Sequence, residues 1–172
     1  MSIDDKVPKR PHEPPVAEPL GFLLTWTTYG TWLPGDERGW VERGLGLQRS
    51  DPRRKREAEA GMTEGACILD AEQRRVVEKT ITDHCRIRGW ELHMVNCRTN
   101  HVHVVVTPDR EPDDVRDQFK AWCTRRLKEF ERACGKREAS MRKKWWTEGG
   151  SKRRLWDEGS LEAAIRYVRD GQ

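Results

Sequence analysis

No apolar run in this chain approaches the roughly 20 residues that a membrane span needs. The N-terminus lacks the apolar core of a secretory signal, which leads us to expect a cytoplasmic protein with no membrane partner. The five cysteines (Cys67, Cys85, Cys97, Cys123, Cys134) are odd in number and form no CxxC pair. Reduced thiols, mostly filling the core, are expected from such a set. There is no internal repeat. Phenols are scarce: Tyr29 and Tyr167 are the only two. Net charge is a modest +4, so whole-chain electrostatics alone do not identify a partner.

What the chain does have is size and ionic surface. Its 172 residues, 35% of them hydrophobic, suffice for one domain with a real core, and 36% are charged. The positive charge is uneven. Residues 136–154 hold eight Lys/Arg against two Glu, together with Trp145 and Trp146. Basic groups neutralise phosphates and indoles offer stacking faces, so this stretch is either a nucleic-acid contact or a solvated loop beside core tryptophans.

Residues 1–19 carry five of the nine prolines and read as a flexible tail. Gly21 to Tyr29 is rich in β-formers and reads as a strand. Pro34-Gly35 then marks a turn. In that turn Asp36 and Arg38 either serve the turn itself or touch a polyanion. Residues 41–66 are charged, spotted with glycine and without a clear period, and read as a long surface insertion. A helix follows, with Asp70 as N-cap and Gln73 three residues on. Val77, Ile81, His84 and Cys85 fall on one face of it, so His84 is expected in the core, and Gly89 ends it. Trp90–Cys97 reads as a strand that carries a structural His93. After Pro112 a second helix presents Val115, Phe119, Trp122, Cys123, Leu127 and Phe130 as an apolar stripe. Its opposite face (Arg116, Lys120, Arg125, Lys128) is basic. Trp145–Trp156 reads as a hairpin turning at Gly149-Gly150. Ser160 is expected to cap a last helix with Leu161, Ala164, Ile165 and Val168 inward. This order suits an α+β fold, an antiparallel sheet with helices packed on one face.

The most informative run is Asn100-His101-Val102-His103-Val104-Val105-Val106. Side chains alternate across a strand, so His101 and His103 share one face while Val102, Val104 and Val106 share the other. The two imidazoles are then roughly 6.5–7 Å apart at the backbone and can converge on one metal ion. Tyr167 sits on the flank of the last helix, where its ring can lean on the body while its hydroxyl reaches a cleft. Arg166 and Arg169 beside it either bind phosphate or are solvated.

In combination, the His-Val-His strand after a hairpin, the Tyr-Gly-Thr-Trp-Leu-Pro-Gly-Asp run at Tyr29–Asp36 and the terminal Tyr helix resemble the single-tyrosine HUH transposases of small insertion sequences, including the REP-associated tyrosine transposases. The resemblance implies a ferredoxin-like antiparallel sheet of the HUH endonuclease type, in one domain over 20–172 with the insertion at about 41–66. It makes His101 and His103 ligands of Mg²⁺ or Mn²⁺, and Tyr167 the nucleophile of a metal-dependent enzyme. Such an enzyme cleaves and rejoins single-stranded, hairpin-containing DNA through a 5′-phosphotyrosine. The third ligand usual in the family, a Gln or Asn four residues after the tyrosine, is replaced here by Gly171. That leaves Gln172, or alternatively Asp170, for the place. Arg125, Arg126, Lys143, Lys144, Trp145, Lys152, Arg153, Arg154 and Arg166 are the expected DNA contacts. Oligomeric state stays open between homodimer and monomer. The competing readings are a non-cutting relative that binds hairpin DNA, and an unrelated hydrolase built on a His-x-His pair.

Overall fold

A computed structural model describes residues 18–170; the proline-rich tail up to residue 17, Gly171 and Gln172 lie outside the described residues. The elements in chain order are β1 (Gly21–Thr27), β2 (Trp40–Glu42), β3 (Gly46–Gln48), α1 (Pro52–Ala60), α2 (Ala71–Arg88), β4 (Glu91–Cys97), β5 (His101–Thr107), α3 (Pro112–Ala133), β6 (Ser151–Leu155) and α4 (Glu158–Asp170). The main sheet has the order β4-β5-β1-β6, with every pair antiparallel. With the excursion between β1 and α2 set aside, the path β1-α2-β4-β5-α3-β6 is the βαββαβ ferredoxin-like arrangement.

Alternation on the strands decides what packs where. Phe22, Leu24 and Trp26 of β1 and Val102, Val104 and Val106 of β5 are buried in one cluster with Val77, Ile81 and Cys85 of α2 and Val115, Phe119, Cys123 and Leu127 of α3. Trp26 and Phe119 stack with ring centroids 6.3 Å apart. Local chemistry sets the helix ends. Asp70 and Gln73 close the expected capping box on α2, and Gly89 takes the left-handed conformation (φ 69°) that ends it. His84 is buried between Trp90 and Phe119, as its place on the stripe predicts.

The expectation of helices on one face describes α2 and α3. The last helix crosses the other face, where Ala164 and Val168 bury against Val105 and Leu155. This second layer is a single helix and leaves part of that face open. The cap also differs from expectation. The Ser160 amide donates to the Asp157 carboxylate (2.7 Å) and its hydroxyl donates to the Asp157 carbonyl (2.9 Å). An acidic side chain placed before the first turn takes over the orphan N–H groups, so α4 begins ahead of Ser160.

Residues 145–155 do not fold back as a hairpin. Trp146 bridges Thr28 and the Thr147 amide donates to the Thr27 carbonyl (3.0 Å), while Ser151 pairs with Thr25. Both halves therefore run along β1, and Glu148-Gly149-Gly150 bulges out between them. A Cβ on Gly150 would sit 2.6 Å from the Thr25 carbonyl oxygen, so only glycine fits there. Two cations of α3 hold the bulge: Arg116 donates to the Gly150 carbonyl, and the Lys120 ammonium to those of Thr147 and Gly149. Arg116 is thus buried, not part of a solvated basic face.

The insertion has structure of its own. β2 and β3 form a two-stranded ribbon, and α1 is capped by the Asp51 side chain and buries none of its residues. Asp36 is buried and accepts from the Arg38 amide (3.1 Å) and guanidinium (2.7 Å), which gives the pair its role in the turn. The Cys67 amide donates to the Tyr29 carbonyl (2.8 Å) and closes the excursion at its base. Cys67, Cys85, Cys97 and Cys123 are free and buried, while Cys134 is free and exposed. No helix among the described residues is long and apolar enough to cross a membrane.

Candidate active site

The open part of the second face carries the two histidines. The rings of His101 and His103 meet edge to face with centroids 4.7 Å apart. Each has its Nδ1 engaged by a neighbour, His101 by the Asn100 side-chain oxygen and His103 by the Thr25 hydroxyl, both at 2.7 Å. An amide oxygen only accepts, so Nδ1 of His101 carries the proton and its Nε2 keeps a lone pair. Thr25, directly opposite His103 in the β1–β5 register, allows the same tautomer there. Neither Nε2 has a hydrogen-bond partner among the described residues. Burial lowers the His103 pKa to about 4, helped by His101 and the Arg98 charge; burial and then Arg98 also lower His101. Both rings are therefore neutral near pH 7, the state in which imidazole ligates a metal.

Tyr167, in the last turn of α4, brings its ring to 5.5 Å from that of His103 at 75°, and the residue is 40% exposed. The strand and the helix thus place a solvent-accessible phenol beside two neutral imidazoles. Asp170 does not join them. Its carboxylate pairs with Arg169 (2.8 Å), and no third His, Cys, Asp or Glu completes a metal-binding group among the described residues. Gln172, the other expected ligand, lies outside the described residues. The pair with both Nδ1 atoms held and both Nε2 atoms free fits a divalent cation, with further positions left to other ligands.

The expected DNA contacts divide. Arg153 pairs with Leu23, which packs in the α4 layer, so it shares the histidine face; Arg166 is exposed beside Tyr167. Lys152 and Arg154 pair with Leu24 and Phe22 and so face the α2–α3 layer, where Lys152 is tied to Asp113. Arg125 and Arg126 are exposed on α3, in that same distant layer, and both pair with Glu129. The backbone amides of Lys143 and Lys144 bind the Glu64 carboxylate (2.9 and 2.7 Å). Their side chains border an open cleft of about 480 Å³ that is lined by none of the histidine-site residues. Trp145 corrects the expectation of a stacking surface. It is 2% exposed, because the strand-like pairing of its neighbour Trp146 on β1 turns its indole into the core.

Sequence reasoning passed over three residues of the site: Thr25, Asn96 and Arg98. Asn96 lies directly opposite His103 on β4. Its side-chain amide donates to the Val168 carbonyl (2.8 Å), one residue beyond Tyr167. Arg98, in the β4–β5 turn, places its charge near both imidazoles. Only Arg98 carried a legible signal, a cation three residues before the first histidine.

The site thus stands on a ferredoxin-like antiparallel sheet, with paired histidines on the face crossed by a tyrosine-bearing helix. No family model matches the chain, and no curated protein does. Among solved structures it is similar to a "putative transposase" from Deinococcus radiodurans R1, with TM-score 0.50 and 14% identity over 92% of this chain and 95% of that one. It is also similar to a REP-associated tyrosine transposase bound to a REP hairpin, with TM-score 0.47 and 14% identity over 91% and 69%. At such identity the first of these establishes a shared fold.

Proposed function

We propose that the chain is a single-tyrosine HUH transposase that cleaves and rejoins single-stranded DNA containing hairpins. The observation that carries this reading is the meeting of Tyr167 with His103, itself in ring contact with His101, on an open sheet face within one chain. Residues far apart in sequence converge there on the two groups that phosphodiester transfer by tyrosine requires: a phenol and a cation seat.

In the proposed reaction Tyr167 Oη bonds to phosphorus as the P–O3′ bond breaks. The phenol proton is released and the departing oxygen takes one up, leaving a 5′-phosphotyrosine and a free 3′-OH. The phosphodiester is conserved in the covalent product, so a 3′-OH can attack it and reseal the strand without an energy source. His101 and His103 would hold Mg²⁺ or Mn²⁺ through Nε2, and the ion when bound polarises the phosphate and eases departure of the 3′-oxygen. Two imidazoles with no carboxylate among the described residues suit Mn²⁺ better than Mg²⁺. Arg98, Arg153 and Arg166 supply positive charge on this face for the DNA backbone. The hairpin preference is carried over from the motif resemblance, and one chain holds both halves of the site.

The test is incubation of the full chain with a labelled hairpin oligonucleotide and Mn²⁺, followed by denaturing electrophoresis. A protein–DNA adduct that disappears in Tyr167→Phe supports the reading. Equal adduct from both proteins rejects Tyr167. Hairpin binding by the wild type with no adduct under either ion makes the chain a non-cutting binder.

A further inference from the structure

We propose that Asn96 is the positioning residue that holds Tyr167 at the histidine pair, acting as a latch between the sheet and α4. This rests on the proposed tyrosine chemistry for its functional consequence, though not for its structural one. Three observations converge on it. First, the Asn96 side-chain amide donates to the Val168 carbonyl at 2.8 Å, in the last described turn of α4. Second, among the described residues this is the one hydrogen bond that joins α4 to the sheet. The remaining side-chain bonds of α4 are its own cap at Asp157–Ser160 and the Arg169–Asp170 pair. Third, the latch touches both halves of the site, since Asn96 pairs with His103 across the sheet and Val168 is the residue after Tyr167.

The apolar support of α4 is one-sided: Ala164 and Val168 are buried against Val105 and Leu155, with Leu161, Ile165, Leu23 and Met94 half-buried around them. They fix which face of the helix is inward, but oily contacts are not directional and leave the rotation and height of the last turn loosely set. A hydrogen bond from a sheet residue is directional and sets them. Loss of Asn96 therefore leaves α4 folded while its final turn, with Tyr167, wanders relative to His103. Misplacing a reacting group by about 1 Å costs on the order of 100-fold in rate.

The test uses the full chain as Asn96→Ala and Asn96→Asp, the second keeping the shape but removing the donor. Two readouts are paired. Amide hydrogen exchange over residues 165–170 is expected to quicken about 5-fold or more in both variants, in line with the loss of one hydrogen bond. Single-turnover adduct formation is expected to fall roughly 10- to 100-fold with hairpin affinity within about 2-fold of wild type. Unchanged exchange overturns the latch. Adduct rate and affinity falling together, with a lowered melting point, make Asn96 a general structural residue and also overturn it. A wild type that forms no adduct sinks the proposed chemistry alone; the exchange measurement then still decides the latch.

Discussion

Val102 and Val104 on β5 are completely buried, while His101 and His103, interleaved with them, are half-buried, and His103 leans on an exposed Tyr167. The two faces of one strand thus live in different physical regimes. One is sealed by two helices and holds Trp26 and Phe119. The other is covered by one helix and keeps its polar groups within reach of solvent. A period of two residues is enough to put a core and a reaction centre back to back, so each is tunable without moving the other.

That contrast can be broken from either side. The largest effect is expected from replacing both histidines by Ala: adduct formation falls below detection, while the melting temperature moves by no more than about 3 °C. A change above about 10 °C would show that the open face also carries the fold. Next, Phe119→Ala on the sealed face should cost about 3–5 kcal/mol in denaturant unfolding, because the ring is fully buried. The rate per folded molecule should stay within about 2-fold, and a larger loss would mean that the faces are mechanically coupled. Third, Thr25→Val keeps the shape but removes the partner of His103 Nδ1. Mn²⁺ affinity by titration calorimetry should drop about 10- to 100-fold, with stability nearly unchanged.

The smallest effect concerns the buried cation behind the sheet. Burial, and then the neighbouring Arg116 charge, lower the Lys120 pKa to about 8 from its usual 10.5. A folded-state value below the unfolded one means that the unfolded chain binds the proton more tightly. The favourable contribution is therefore complete above pH 10.5 and is lost as pH falls through 8. Comparison of wild type with Lys120→Met by urea unfolding should shift in favour of wild type by roughly 2 kcal/mol between pH 7 and pH 10. A difference flat with pH would mean that Lys120 titrates normally.

The legible parts of the molecule were those written in local spacing. Asp70 with Gln73, Gly89 and the α2 and α3 stripes set their elements by contacts within a few residues, and the structure shows them where the sequence puts them, except for Trp122, which sits at the edge of the α3 stripe and is exposed. His101 and His103 share a face because alternation is local as well. The side of the sheet that receives α4 is a tertiary choice, and a stripe of Leu161, Ala164, Ile165 and Val168 fits either side. Gly149-Gly150 has the residues of a hairpin turn but forms a bulge, because β1 offers pairing to both flanks. Trp145 could stack on a base or fill the core until its neighbour's bridge to Thr28 was known. Thr25 and Asn96 became site residues only through strand register, which no spacing along the chain encodes. Nor did the lack of a hydrophobic period in 41–66 mean lack of structure. A ribbon and an exposed helix need turn glycines and a cap more than an apolar stripe.

The closure of that excursion has a consequence for how the chain can vary. Tyr29 and Cys67 are joined backbone to backbone at 2.8 Å, so 30–66 leaves and re-enters the frame through a narrow doorway, flanked by ties from Thr31 to Asn100 and from Glu64, Gly65 and Ala66 to residues 142–144. Whatever is spliced through such a doorway leaves the frame behind it undisturbed, provided the two jambs keep their spacing. Residues 32–61, whose hydrogen bonds stay within the excursion, are in that sense an exchangeable cassette, expected to tolerate changes of length while the sheet and its histidines stay in place.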